Sequence, residues 1–175
     1  MTGIHRRPDH SEAESYYFTY IGQAEGDDVR SIVTNQTSEA LRLFAGISEE
    51  ASLRRYAPDK WSVREVVNHI SDCERMFAFR AFWFARGFDT PLPDFDQTIA
   101  AASADAHALP LATHIAEFTA VRRATETLFA NMPHAAWSRR GVASGNPFTV
   151  RAMAFLAAGH AAHHLRALRE RYAGD

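Results

Sequence analysis

Apolar residues recur at three- and four-residue intervals in four long stretches, separated by polar connections rich in turn-formers. Val29, Ile32, Val33, Ala40, Leu43 and Phe44, with Gln36 among them, keep this spacing up to Gly46. Asp27 or Asp28, acids suited to a helix N-terminus, predicts the start of this first helix. The second opens at Ser62, where Ser62-Val63-Arg64-Glu65 reads as a capping box: hydroxyl and carboxylate satisfy two orphan amides reciprocally. Val63, Val66, Val67, Ile70, Phe77, Ala81 and Phe84 then carry it to Arg86, with Gly87 suited to a left-handed C-terminal position. A third helix is predicted from about Pro110 to Asn131 through Ile115, Phe118, Val121, Leu128 and Phe129. Thr149 caps a fourth, ending near Tyr172.

The connections have their own character. Ser48 to Lys60 is polar and holds Pro58 and Asp59; Thr90-Pro91-Leu92-Pro93 is a rigid crossing segment, followed by a short helix through Asp96 and Ala102; Gly141 to Pro147 is turn-rich. Strand-like alternation is scarce. The expected architecture is all-α, an antiparallel four-helix bundle of up-and-down type spanning residues 27–175. Residues 1–26 are polar and glycine-containing, with an aromatic patch at Tyr16, Tyr17, Phe18 and Tyr20, and are expected to form an extended arm lying on the body through those rings.

Composition adds exclusions. A 46% apolar and 23% charged chain of 175 residues is long enough to bury one core. A net charge of −2, with 19 Lys and Arg residues in no basic run, offers nothing for nucleic acid or an anionic membrane. No stretch approaches a membrane span or a signal peptide. Cys73 stands alone, so no internal disulfide is possible and a reducing, cytoplasmic setting is expected.

Candidate chemistry concentrates in Gly159-His160-Ala161-Ala162-His163-His164-Leu165. On a helix His160 and His164 stand one turn apart, close enough to share a metal ion. Met153, Leu156, Ala157, Ala167 and Leu168 all fall within about 80° of His160, so the pair sits in an apolar stripe. Position 161 is Ala, which argues against a zincin helix, where a Glu would follow the first histidine. A third ligand should come from another core-facing helix, and His69, among Val66, Val67 and Ile70, is the best placed. The simpler alternative for His69 is a core histidine bonded to a carboxylate, with Asp72 and Glu74 the nearest in sequence. Cys73 is a rival ligand one turn from His69, although a buried cysteine commonly acts as a small hydrophobe. His163 points about 100° away from His164 and is a neighbour. His5, His10, His107, His114 and His134 lie in the arm, in connections or in a first turn. Glu74 interrupts an apolar seam and is read as an ion-pair partner, of Arg80 or of an arginine on another helix. Arg80 could bind a substrate carboxylate. Trp61, Phe79, Phe82 and Trp83 are read as core before pocket wall.

These pieces together resemble the DinB/YfiT-like superfamily, which includes bacillithiol and mycothiol S-transferases. The resemblance runs over roughly residues 8–172. It is carried by Tyr56-Ala57-Pro58-Asp59-Lys60-Trp61-Ser62-Val63-Arg64-Glu65, by Asn68-His69-Ile70-Ser71-Asp72-Cys73-Glu74-Arg75, by Phe79-Arg80-Ala81, by Pro91-Leu92-Pro93 with Phe95-Asp96-Gln97, and by Gly159-His160 with His163-His164-Leu165. It implies a commonly dimeric four-helix bundle with a metal on one histidine of the second helix and a His-x-x-x-His pair of the fourth: His69, His160 and His164. Many relatives carry an acid after the first histidine of the pair, where this chain has Ala161.

Three imidazoles leave coordination positions open, the arrangement of catalytic metal sites, and Zn²⁺ and Ni²⁺ both suit them. The expectation is a divalent-metal enzyme acting on a small molecule, a hydrolase or a low-molecular-weight-thiol S-transferase, working as a homodimer. No residue is singled out as catalytic and no further cofactor is expected. The alternatives are a non-catalytic, dimeric metal- or ligand-binding stress-response protein, and a plain structural bundle whose histidines are satisfied by hydrogen bonds.

Overall fold

The computed structural model describes residue 3 and residues 5–172; positions 1, 2, 4 and 173–175 of the ranges above lie outside the described residues. The chain is mostly helical. After a 3-10 turn at Ser15–Tyr17 come α1 (Phe18–Ile21), α2 (Val29–Ala45), α3 (Val63–Ala85), α4 (Gln97–Ser103) and α5 (Leu111–Ala130). Strands β1 (Arg140–Ala143) and β2 (Asn146–Thr149) precede α6 (Val150–Tyr172).

The boundaries follow the local chemistry. Asp28 caps α2 by accepting from the Arg30 amide at 3.0 Å. At α3 the capping box is complete: Ser62 Oγ accepts from the Glu65 amide at 3.2 Å, and Glu65 Oε2 accepts from the Ser62 amide at 2.7 Å. Gly87 beyond its end has φ 82°. Thr149 Oγ1 caps α6 by accepting from the Ala152 amide at 3.0 Å.

The four long helices pack as a ring in which α2 and α3 each contact both α5 and α6. In an up-and-down bundle, helices consecutive in sequence sit side by side. Here α2 and α3 face each other across the ring, and so do α5 and α6. Reach explains how this is possible: some seventeen residues link α2 to α3, ample for a diagonal crossing by roughly 3.3 Å per extended residue. That link is clamped by buried Arg64, which donates to Ser52 Oγ and to the Leu109 carbonyl and pairs with Glu49.

The up-and-down arrangement is thus corrected, and two further expectations need correcting. The stretch 141–147 is the centre of an antiparallel hairpin, Arg140 opposite Thr149 and Ala143 opposite Asn146. Its two turn residues, Ser144 and Gly145, both have positive φ (51° and 72°), as the tightest hairpin turns require. The N-terminal segment is coiled into helical turns at residues 15–21 and is not extended. It is nevertheless tied down: Glu12 is buried and accepts from Thr149 Oγ1 at 2.7 Å and Arg151 Nε at 3.0 Å. Tyr17 meets Phe148 edge-on at 4.7 Å. α1 lies directly on α6 at Gly159, where an added Cβ would stand 2.0 Å from the Tyr20 carbonyl oxygen.

The apolar interior falls into two clusters. One gathers Phe84, Phe129, Trp137, Phe148 and Phe155, the other Phe44, Val67, Ile70, Phe118 and Leu165. Between them lies a polar layer. Arg122 on α5 donates to Glu74 Oε2 on α3 at 3.1 Å, and on α2 to the Val33 carbonyl at 2.8 Å and Gln36 Oε1 at 3.2 Å. Gln36 in turn donates to the Ala158 carbonyl of α6 at 3.0 Å. Arg122 and Glu74 are 0% and 2% exposed. Glu74 therefore pairs with an arginine of another helix, the second of the two partners considered, and Arg80 is left unpaired with it.

Breaking a buried ion pair by removing one partner typically costs about 3–5 kcal/mol, whereas removing both can be close to neutral. Arg122→Met should lose stability of that order in urea unfolding, and Glu74→Leu with Arg122→Met should recover more than half of it. A loss below about 1 kcal/mol in the single variant would show that the layer does not hold the fold.

Candidate metal centre

The three histidines reach one point from two helices. His69 projects from α3, and His160 and His164 from successive turns of α6, the pair of helices packed most extensively against each other. His69 Nε2 lies 3.1 Å from His160 Nε2, and His164 Nε2 lies 3.2 Å from the same atom. All three nitrogens fall within 4.8 Å of one another, and among the described residues these are the histidines, cysteines and acids so grouped. His69 and His160 are buried and His164 is half-buried. An ion bonded tetrahedrally at about 2.0–2.1 Å holds its nitrogens about 3.3 Å apart, close to the two separations from His160.

The protonation state fits as well. Burial pushes the pKa of His69 down to about 4 and that of His164 to about 3, the neighbouring histidines adding to the effect. Burial lowers His160 well below the ordinary histidine value, with His164, His69 and His163 contributing. The imidazoles are therefore neutral near pH 7, the form in which they ligate a metal.

The walls are aromatic. Trp61 lies over His69 with ring centroids 4.5 Å apart, Phe77 meets His160 edge-on at 5.5 Å, and Tyr20 of α1 stands 5.9 Å from His160. His163 packs between Tyr20 and His164, half-buried beside the three. Cys73 Sγ is 3.6 Å from His69 Nδ1, and burial raises its thiol to about 12, which keeps it protonated as a small hydrophobe. A cavity of about 400 Å³ opens on His160 and Cys73, lined further by Tyr16, Tyr17, Tyr20 and Arg80. A second, of about 290 Å³, opens on His164 from the side of Trp61 and Tyr172.

Other expectations fare unevenly. Asp72 is occupied by Asn68 and Arg75, and Glu74 by Arg122, so neither orients an imidazole. Phe79 and Phe82 are 50% and 36% exposed and belong neither to the core nor to the site. Trp83 donates to the Thr90 carbonyl and stacks on Phe88, away from the histidines, while Trp61 is a wall. His114 bonds the Ala106 carbonyl, His107 meets Ser62 Oγ, and His5 packs on Trp137. Tyr20 was visible only as part of an aromatic patch; the glycine facing it, Gly159, was the available sign of close approach.

The family model described as the DinB superfamily matches residues 33–168, well over half of the chain. Among solved structures the fold is similar to that of YfiT from Bacillus subtilis, described as a probable metal-dependent hydrolase with an unusual four-helix bundle topology. The two are 16% identical with a TM-score of 0.69, over 95% of this chain and 94% of that one. No curated protein matches the chain.

Because burial keeps these imidazoles neutral, the unfolded metal-free chain binds more protons than the folded one below the ordinary value of 6.5. Stability is then complete above that pH and falls as pH drops towards about 4, where His69 begins to protonate in the fold. Urea midpoints of chelator-treated protein should show this decline between about pH 6.5 and 4, and His164→Ala should flatten it. Equal slopes in the two proteins would exclude His164 as a contributor.

Proposed function

The chain belongs to the DinB superfamily, and on that footing we propose that it is a metal-dependent enzyme acting on a small molecule, with His69, His160 and His164 holding a divalent ion. The convergence of three neutral imidazole nitrogens at 3.1 and 3.2 Å steps carries this reading. Zn²⁺ and Ni²⁺ both suit an all-imidazole donor set. When bound, such an ion supplies Lewis acidity, lowering the pKa of a water or a thiol that reaches it. The chain's own residues orient and exclude: Trp61 and Phe77 wall the imidazoles, and the cavities leave two openings for a small molecule.

Two chemistries are compatible with such a centre. Hydrolysis is supported by the description of YfiT, whose fold this chain shares. Transfer of a low-molecular-weight thiol is supported by the donor set: among the described residues no carboxylate joins the three histidines. A hydrolase ordinarily asks for a general base beside the attacking water, whereas a thiol needs only to lose its proton. Non-catalytic metal or ligand binding in a stress response is the alternative from a different class.

The proposal extends to the protein's setting. The bundle assigned to residues 27–175 is the ligand-bearing unit, and Tyr16, Tyr17 and Tyr20 of the accessory segment 1–26 wall it. A homodimer is supported by the exposed, apolar Phe79 and Phe82 on α3, beside Val121 and Leu128 of α5. A cytoplasmic location is supported by the single cysteine. Among the described residues no helix is long and apolar enough to cross a membrane.

Elemental analysis of the purified chain should find a stoichiometric divalent ion that is lost in His160→Ala and in His69→Ala. Metal-loaded protein should then either transfer small thiols to electrophiles or hydrolyse amides or esters, at least about a hundredfold faster than either variant. Absence of metal from the unmodified chain after loading would refute the site. Stoichiometric metal without turnover in either screen would favour the binding protein.

A further inference from the structure

Among the described residues Arg80 is the buried arginine for which the fold supplies no ion pair. Among the described residues two other arginines are buried, and each has an acidic partner: Arg64 pairs with Glu49 and Arg122 with Glu74. Arg80 is 7% exposed, and no carboxylate lies within ion-pair distance among the described residues. Its Nη2 donates to the Pro93 carbonyl at 2.8 Å and to Ser144 Oγ at 3.0 Å, both neutral acceptors. Among the described residues its Nε and Nη1 have no protein acceptor and are not sealed off, and Arg80 lines the 400 Å³ cavity. Taking a charge out of water is costly unless an opposite charge or a full set of acceptors compensates. Asp94, an exposed acid that lines the same cavity, accepts the hydroxyl hydrogen of Ser144 and acts on Arg80 through charge without forming an ion pair.

The position of Arg80 relative to the metal centre gives this gap a meaning. His69, Cys73 and Arg80 recur at i, i+4 and i+11 on α3, which puts them on one face of the helix, with Arg80 about 16 Å further along the axis than His69. Both Arg80 and His160 line the 400 Å³ cavity; Tyr16, Tyr17, Tyr20 and Phe77 form part of the wall between them, and Asp94 and Asp96 also reach it. A guanidinium at one end and a candidate metal centre at the other define a polar–apolar–polar slot.

We propose that Arg80 receives an anionic group of the substrate, a carboxylate or a phosphate, and thereby fixes the distance of the substrate's reacting end from His69, His160 and His164. This deepens the metal-enzyme reading and rests on it for the word substrate, but the anion subsite is a property of the chain with or without the ion. Charged acceptors bind an arginine donor more strongly than neutral ones, so discrimination between an acid and its amide reads the subsite directly.

The test is a calorimetric titration of the chelator-treated, full chain with 4-phenylbutanoate, with its neutral isostere 4-phenylbutanamide, and with phenyl phosphate. At least one of the anions should bind about tenfold or more tightly than the amide, and the tighter of the two identifies the group the subsite prefers. Arg80→Gln should erase the preference, while His160→Ala, which removes a metal ligand, should keep it. Failure of the unsubstituted chain to take up metal, with the preference intact, would therefore reject only the metal-enzyme reading. Equal binding of acid and amide, or a preference that survives Arg80→Gln, would overturn the subsite. NMR of the arginine Nε–H groups in the unsubstituted chain gives a reading that needs no variant to fold: one signal should shift with the preferred anion and stay with the amide, and no shift with either anion would also overturn it.

Discussion

A guanidinium with no exposed surface must find its acceptors inside the protein, and Arg122 finds them on two other helices. Its bonds to Glu74 on α3 and to Val33 and Gln36 on α2 admit little sliding, because each displaced bond would leave a buried polar atom unsatisfied. Gln36 passes the constraint on to α6 through the Ala158 carbonyl. Apolar packing alone tolerates small shifts of helix against helix; hydrogen bonds of 2.8–3.2 Å do not. The candidate metal centre inherits that alignment. His160 is two residues from Ala158 and His69 is five residues before Glu74, so the atoms that fix α3 and α6 lie within about two turns of the atoms that converge.

The same layer explains why three histidines can occupy an apolar interior. They lie along a polar seam between two apolar clusters, where the fold already accommodates charge and amide. Neutrality keeps the cost of burial moderate, and it also keeps the lone pairs ready for a cation. Cys73 sits against His69 yet is held as a thiol by that burial, so the donor set reads as nitrogen rather than sulfur. A cluster of three imidazoles differs in kind from the closed, thiolate-rich sites that serve only to hold a fold together.

Much of this was legible in the chain itself because the signals are local. The four long helices announce themselves through spacing, Ser62–Glu65 through its capping chemistry, and His160 with His164 through one helical turn. His69 could be matched to them because a histidine among valines and an isoleucine on a core-facing stripe has few other places to go. What escaped notice depends on tertiary proximity. The hairpin uses four-residue strands, one containing Pro147, too short for alternation to register. The diagonal arrangement of α2 and α3 is set by which faces pair, not by either helix alone. Asp72 and Glu74 are sequence neighbours of His69, but the helix turns them towards Arg75 and Arg122. Phe79 and Phe82 keep core-like spacing and still face outward, since spacing gives a stripe and not what covers it.

The contact at Gly159 has a consequence for how the pocket can change over evolutionary time. Floor and wall come from separate pieces of chain: the imidazoles stand on α3 and α6, while Tyr16, Tyr17 and Tyr20 arrive from a short N-terminal segment resting on a bare helix backbone. A glycine there works like a socket, accepting whatever segment presents a carbonyl at that height. Residues in the segment can be exchanged, and the slot lengthened or narrowed, without moving a single nitrogen donor. The donor geometry and the shape of the pocket wall are thus separable traits in this architecture, one carried by the long helices and the other by a few residues laid across them.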